Sequence, residues 1–104
     1  MYVQQFGNLN NNTIAQNSGD GVYVLNGGTA NLVNNIVALN TNGVKRYNAL
    51  ATVTMTCNDV HGNTTANYVN ITDPTGTNGN ISQNPAFDAP PANADNSDLP
   101  GLLS

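Results

Sequence analysis

The hexapeptide Asn12-Thr-Ile-Ala-Gln-Asn17 returns as Asn35-Ile-Val-Ala-Leu-Asn40 and again, at the same interval, as Asn58-Asp-Val-His-Gly-Asn63. A shortened copy, Asn80-Ile-Ser-Gln-Asn84, follows one position sooner than that interval would place it. Upstream of each leading Asn, Leu9, Leu32 and Met55 keep the same spacing, and Ile14, Val37 and Val60 keep it inside the motif. Several columns held in one register make this an internal repeat.

The repeat length selects the architecture. A period of about 20–29 residues fits a leucine-rich horseshoe or one coil of a parallel β-helix. The horseshoe needs a long Leu frame, and here Leu is sparse and scattered. A β-helix coil needs two or three short strands joined by tight turns, with coils stacking at about 4.8 Å. Ala30 to Asn34, a turn at Asn35, Ile36 to Leu39, and a turn over Asn40 to Gly43 fit that description. No segment carries an apolar stripe of helical period. The expectation is an all-β solenoid of about four coils of about 23 residues, filling 1–87, with 88–104 as an irregular tail.

Composition narrows the function classes. The 104 residues, enough for one domain, hold two basic and six acidic residues, a net charge of −4, and only 8% are charged, against roughly 25% in an average globular protein. Lys45 and Arg46 are the only bases, so no basic patch exists to neutralise phosphates, which excludes nucleic acid as a partner. No apolar run approaches the roughly 20 residues of a membrane span, so no membrane insertion is expected. Met1 to Asn12 has neither a basic start nor an apolar stretch, and no signal peptide is visible. Cys57 is alone, which excludes an intrachain disulfide. The polar share has gone to 21 Asn, 11 Thr and 10 Gly. Asn tolerates positive φ at turns, and identical amides stacked coil upon coil can hydrogen-bond along the stack. Asn12, Asn35, Asn58 and Asn80 are the expected ladder, with Asn17, Asn40 and Asn63 as a second column.

From Cys57 onward the residues become more specific. The run Cys57-Asn-Asp-Val-His-Gly-Asn-Thr-Thr-Ala-Asn-Tyr68, followed by Thr72-Asp-Pro-Thr-Gly-Thr-Asn-Gly-Asn-Ile-Ser-Gln-Asn-Pro-Ala-Phe87, resembles the carboxy-terminal coils of bacterial right-handed parallel β-helix repeat proteins. Many of these are secreted or surface-anchored, including some with a choice-of-anchor carboxy-terminal region. The resemblance covers about residues 8–87. It implies a right-handed, single-stranded coil and an extracellular or cell-surface location. It also suggests the carboxy-terminal part of a longer solenoid, because related chains have many more coils. The tail, Asp95 to Ser104, keeps a Leu, a Pro and a Gly but lacks the Asp-x-Gly ending usual in the family. For activity the resemblance implies little, since one coil architecture serves lyases, hydrolases, adhesins and inert stalks.

Candidate chemistry is sparse. Glycoside hydrolysis needs two carboxyl groups about 5–9 Å apart across a groove, and Asp59 with Asp73 is the one plausible pair, since Asp88, Asp95 and Asp98 lie in the tail. Tyr68 between them is the residue expected to stack on a sugar, so Asp59, Tyr68 and Asp73 are the carbohydrate-contact candidates. No catalytic residue is assigned. Lys45 and Arg46 are expected in one loop and His61 on an exposed turn, where a single His makes no transition-metal site. The loop Asp73 to Asn80 is rich in oxygen donors, which makes Asp73, Asn78 and Asn80 the candidate calcium ligands; no other cofactor is expected. Cys57 is expected as a small buried hydrophobe. Thr29, Thr52 and Thr75, spaced at the repeat interval, would stack on one outer face and resemble an ice-binding array. The expected role is non-catalytic, a structural stalk or a carbohydrate-contacting surface; the alternative is a fragment of a polysaccharide lyase or glycoside hydrolase with its catalytic coils upstream. End-to-end self-association through an uncapped first coil, with apolar side chains such as Phe6 and Leu9 exposed, is the further expectation.

Overall fold

The computed structural model describes residues 1–86; the expected tail 88–104 and the boundary at 87 lie outside the described residues. Ten strands follow one another: β1 (Tyr2–Val3), β2 (Phe6–Asn10), β3 (Thr13–Ala15), β4 (Asp20–Val24), β5 (Thr29–Val33), β6 (Ile36–Ala38), β7 (Asn42–Arg46), β8 (Thr52–Thr56), β9 (Asp59–His61) and β10 (Ala66–Val69). Each strand pairs in parallel with the strand three places on, so three sheets form: β1-β4-β7-β10, β2-β5-β8 and β3-β6-β9. The chain visits the sheets in a fixed rotation. That course is an all-β stack of parallel coils, consistent with a β-helix. Three full circuits and part of a fourth are present; in the fourth, a turn-rich loop over 72–79 stands where a strand after β8 would lie, and Ile81 bridges to Asp59. Among the described residues no helix is long and apolar enough to cross a membrane.

Alternation of side chains decides what goes inside. Leu9, Leu32 and Met55 are in register across β2, β5 and β8, and Ile14, Val37 and Val60 across β3, β6 and β9. A third column is Val22, Val44 and Tyr68 across β4, β7 and β10. All belong to or pack against one apolar core. Leu9 is buried at 4% exposure, although nothing described covers the first circuit; Phe6, pairing with Thr29 on the outer side, is 65% exposed. Of those two side chains, then, only Phe6 is uncovered at that end.

The three corners differ in how freely their length varies. Between β2 and β3, β5 and β6, and β8 and β9 the corner is always two residues: Asn11-Asn12, Asn34-Asn35 and Cys57-Asn58. The corner after β3, β6 and β9 spans 16–19, 39–41 and 62–65, a variation of a single position. The corner after β1, β4 and β7 grows from 4–5 to 25–28 to 47–51. It is the corner without an inward Asn.

Several local expectations fall differently. Lys45 and Arg46 lie on β7, not in a loop, and therefore on opposite faces. Lys45 sits outside, 4.8 Å over the ring of Tyr23. Arg46 continues the inward column of Val3 and Val24, and its Nε is buried without a partner. Cys57 is exposed, not buried, because it takes the left-handed conformation at φ 57° that turns the chain there. Thr29 and Thr52 pair, but Thr75 sits in a turn bonded to Asp73, so the Thr array does not form.

Gly21 and Gly43 lie near the start of β4 and β7, beside the second Asn column. A Cβ at Gly43 would lie 2.5 Å from Asn67 O, 2.7 Å from Asn63 Nδ2 and 2.8 Å from Val60 Cγ1. Two of these neighbours are backbone or hydrogen-bonded amide and have no room to yield. Gly43→Ala is expected to destabilise the chain by about 2–3 kcal/mol. Gly19→Ala, where nothing lies within 4 Å, should stay within about 0.5 kcal/mol; urea unfolding of both variants checks the pair.

Candidate functional site

The polar side chains converge in two places: the Asn columns inside the corners, and the carboxy-terminal group Asp59, Tyr68 and Asp73. In the first column, Oδ1 of each later Asn accepts both the backbone N–H and the Nδ2 of the Asn one circuit earlier. Asn12 donates to Asn35 at 2.9 and 3.1 Å, Asn35 to Asn58 at 2.9 and 2.9 Å, and Asn58 to Asn80 at 2.9 and 3.1 Å. The remaining Nδ2 hydrogen goes backward to a carbonyl of the preceding circuit: Asn35 to Leu9, Asn58 to Leu32, Asn80 to Met55. Asn17, Asn40 and Asn63 repeat the pattern, with backward bonds from Asn40 to Ile14 and from Asn63 to Val37. Asn35, Asn40, Asn58 and Asn80 are buried to 1% exposure or less. Burying an amide is tolerable only when its donors and acceptors are used, and here they are.

The left-handed turn residue is not the ladder Asn. It is the residue just before it: Asn11, Asn34, Cys57 and Gly79 in the first column (φ 59°, 60°, 57° and 77°), and Gln16, Leu39 and Gly62 in the second (φ 62°, 62° and 67°). The positive-φ residue swings the following amide inward, and the ladder then holds it. Gly79 is needed for space as well, since a Cβ there would meet Cys57 Sγ at 2.8 Å.

Both ladders are closed at their carboxy-terminal ends by the chain itself. Asn80 N and Nδ2 donate to Thr77 O at 2.9 and 3.0 Å, where the next Asn oxygen would be. Asn63 N and Nδ2 donate to Asn67 Oδ1 at 3.2 and 2.8 Å. Asn67 follows Ala66, which pairs with Asn42, so it stands in register with Gly43. The glycines of the earlier circuits clear space for the ladder; in the last circuit an Asn fills that space and ends it.

The carbohydrate-contact candidates do gather near one another, but around an inward-facing phenol. Tyr68 packs against the core, and its hydroxyl is buried without a hydrogen-bond partner. Burial pushes its pKa well above the ordinary 10.0, and the negative charges of Asp73 and Asp59 push the same way. The ring is half-buried against the core, which leaves only part of its face outside. Asp59 lies on β9 and accepts from Gln83 N at 2.9 Å. Asp73 is an Asx turn, accepting from Thr75 N at 2.8 Å and from the Thr75 hydroxyl. Of the calcium candidates, Asn80 has its amide committed to the ladder. Asn78 is exposed, and its carbonyl accepts from Cys57 N. Among the described residues no three His, Cys, Asp or Glu side chains come together. His61 is on β9, not a turn, with Nδ1 3.3 Å from Ser82 Oγ.

Comparison with family models, with curated proteins and with solved structures finds no match.

The ladder geometry ranks its members. Asn58→Ala strands the Asn35 amide donors and the Leu32 carbonyl in a dry interior, and is expected to lower stability by about 3–5 kcal/mol. Asn12→Ala loses one half-exposed side-chain bond and should lower it by about 1 kcal/mol; chemical denaturation of the two variants measures the difference. Tyr68→Phe removes a buried hydroxyl that bonds nothing, so it should leave stability at neutral pH within about 1 kcal/mol of the parent or above it. The phenol keeps its proton in the folded chain above pH 10.0 while the unfolded chain loses it. Its contribution to stability is therefore whole below pH 10.0 and declines as pH rises beyond it. Denaturation at pH 9 and pH 11 should show a larger alkaline loss in the parent than in Tyr68→Phe.

Proposed function

We propose that the chain is a right-handed, single-stranded parallel β-helix element of an extracellular or cell-surface protein, acting as a rigid, non-catalytic stalk. The supporting observation is where its polar chemistry goes. The interior amides are spent on the two ladders, the carboxylates of Asp59 and Asp73 are hydrogen-bonded to the chain's own backbone, and Tyr68 is half-buried against the core with its hydroxyl enclosed. What remains outside is a surface with few charges and repeated Asn and Thr. Handedness and compartment rest on the resemblance of the carboxy-terminal coils; the mechanical reading rests on the packing. An inward ladder resists sliding of one coil over the next, because each amide bonds to both neighbours at once.

Incubation with pectin, alginate and similar polymers, followed by assays for reducing and unsaturated ends, tests the reading. The expected result is no release above the buffer control. Release that disappears in Asp59→Asn or Asp73→Asn would replace the stalk with a hydrolase or lyase. Saturable retention on an immobilised polymer without cleavage would replace it with a carbohydrate-contacting surface.

A further inference from the structure

Asn followed by Gly occurs three times, as Asn26-Gly27, Asn42-Gly43 and Asn78-Gly79. In such a pair the glycine nitrogen can reach the preceding side-chain amide, because no Cβ hinders its approach. Sequence ranks the three equally; their surroundings do not. Asn42 lies on β7, between two paired strands. Its Nδ2 donates to Asp20 Oδ1 at 2.9 Å, and Gly43 is buried with no room around it. Asn26 and Gly27 are the exposed middle pair of a turn closed by Gly28 N and Leu25 O, but the Asn26 amide oxygen accepts from Asn48 Nδ2 at 3.0 Å. Asn78 and Gly79 are the middle pair of the turn closed by Asn80 N and Thr77 O, both exposed and both at positive φ, 50° and 77°. Among the described residues the Asn78 side chain has no hydrogen-bond partner and the Gly79 N–H has no acceptor.

We infer that Asn78 is a site of spontaneous deamidation and isoaspartate formation, and that the reaction releases the last rung of the first Asn ladder. Gly79 N gives its proton to solvent base and attacks Asn78 Cγ; the bond from Cγ to Nδ2 breaks, and Nδ2 leaves as ammonia. The cyclic imide that results takes up water. Opening at Cγ gives an aspartate at this position; opening at the backbone carbonyl gives an isoaspartate, in which the chain runs through Cβ and Cγ. An amide is exchanged for a carboxylate with no change of oxidation state. The isoaspartate adds a methylene to the backbone where there is no slack. Asn78 O accepts from Cys57 N at 3.0 Å, and a Cβ on Gly79 would lie 2.8 Å from Cys57 Sγ. Asn80 Oδ1 must meanwhile reach Asn58 N and Nδ2 at 2.9 and 3.1 Å. A longer turn between Thr77 and Asn80 takes that oxygen away from its donors, and the Asn58 N–H is left without its acceptor. The coil stack therefore carries its own clock, set in the turn that ends the ladder.

The test holds the full chain at mildly alkaline pH, where the Gly79 amide loses its proton more readily, and samples it over weeks. Peptide mapping by fragmentation that separates isoaspartate from aspartate is expected to show Asn78 converting about tenfold or more faster than Asn26, with Asn42 unchanged. In the isoaspartate fraction, amide hydrogen exchange at Cys57 and Asn58 should speed up about tenfold or more. Asn78→Gly suits the positive φ there and should abolish both the ammonia release from this turn and the loss of protection. Overturning results are no conversion at Asn78, conversion at Asn26 or Asn42 as fast as at Asn78, or an isoaspartate fraction in which Asn58 stays as protected as in the fresh chain. Loss of Asn58 protection on the same schedule in Asn78→Gly would also overturn it.

Discussion

Asn35, Asn40 and Asn58 are each bonded in three directions: to the amide of the coil before, to the amide of the coil after, and back to a carbonyl across the corner. The rest of the fold depends on that bonding. An apolar side chain in the same corner would fill the volume but leave backbone donors and carbonyls dry and unpaired, at a cost of about 1–3 kcal/mol each. The amide satisfies them and also fixes register. A slip of one residue would move every ladder oxygen away from its donors and turn every core column to the outside. The apolar columns are short, those of Leu9, Leu32 and Met55 and of Ile14, Val37 and Val60 among them. A core that thin gives little resistance to slippage by itself.

The repeat spacing makes two of the sheets legible, because Leu, Ile, Val and Asn recur there at one interval. The third sheet is harder to see. Tyr2 pairs with Tyr23, Asp20 with Asn42, and Asn42 with Ala66, three pairings at three different intervals, so a search at one period misses it. That is why Tyr68 reads from sequence as an exposed aromatic between two acids rather than as the last member of the Val22 and Val44 column. It is also why Asn67, whose counterpart in the circuit before is Gly43, gives no sign of ending a ladder.

The conformation of the corners is legible only by half. Counting Asn columns finds the residue that must be inside, but the strained backbone falls one place earlier, on residues as unlike as Asn34, Leu39 and Cys57. No shared side-chain chemistry marks that position. A left-handed residue without a glycine costs about 1–2 kcal/mol, and the ladder bonds that follow it are strong enough to impose it. Local preference yields to tertiary hydrogen bonding, and Cys57 is exposed for that reason rather than for any property of its thiol.

The unequal corners carry an evolutionary consequence. A corner with an inward amide cannot change much in length without breaking two circuits at once, and the β2–β3 type stays at two residues in all three circuits. The corner after β1, β4 and β7 has no such tether, and within this chain it runs from two residues to four to five. New sequence can accumulate there at little risk to folding, and Tyr47 and Leu50 already project from it. In a lineage of such chains, novelty should gather along that single edge, leaving the other two edges nearly unchanged.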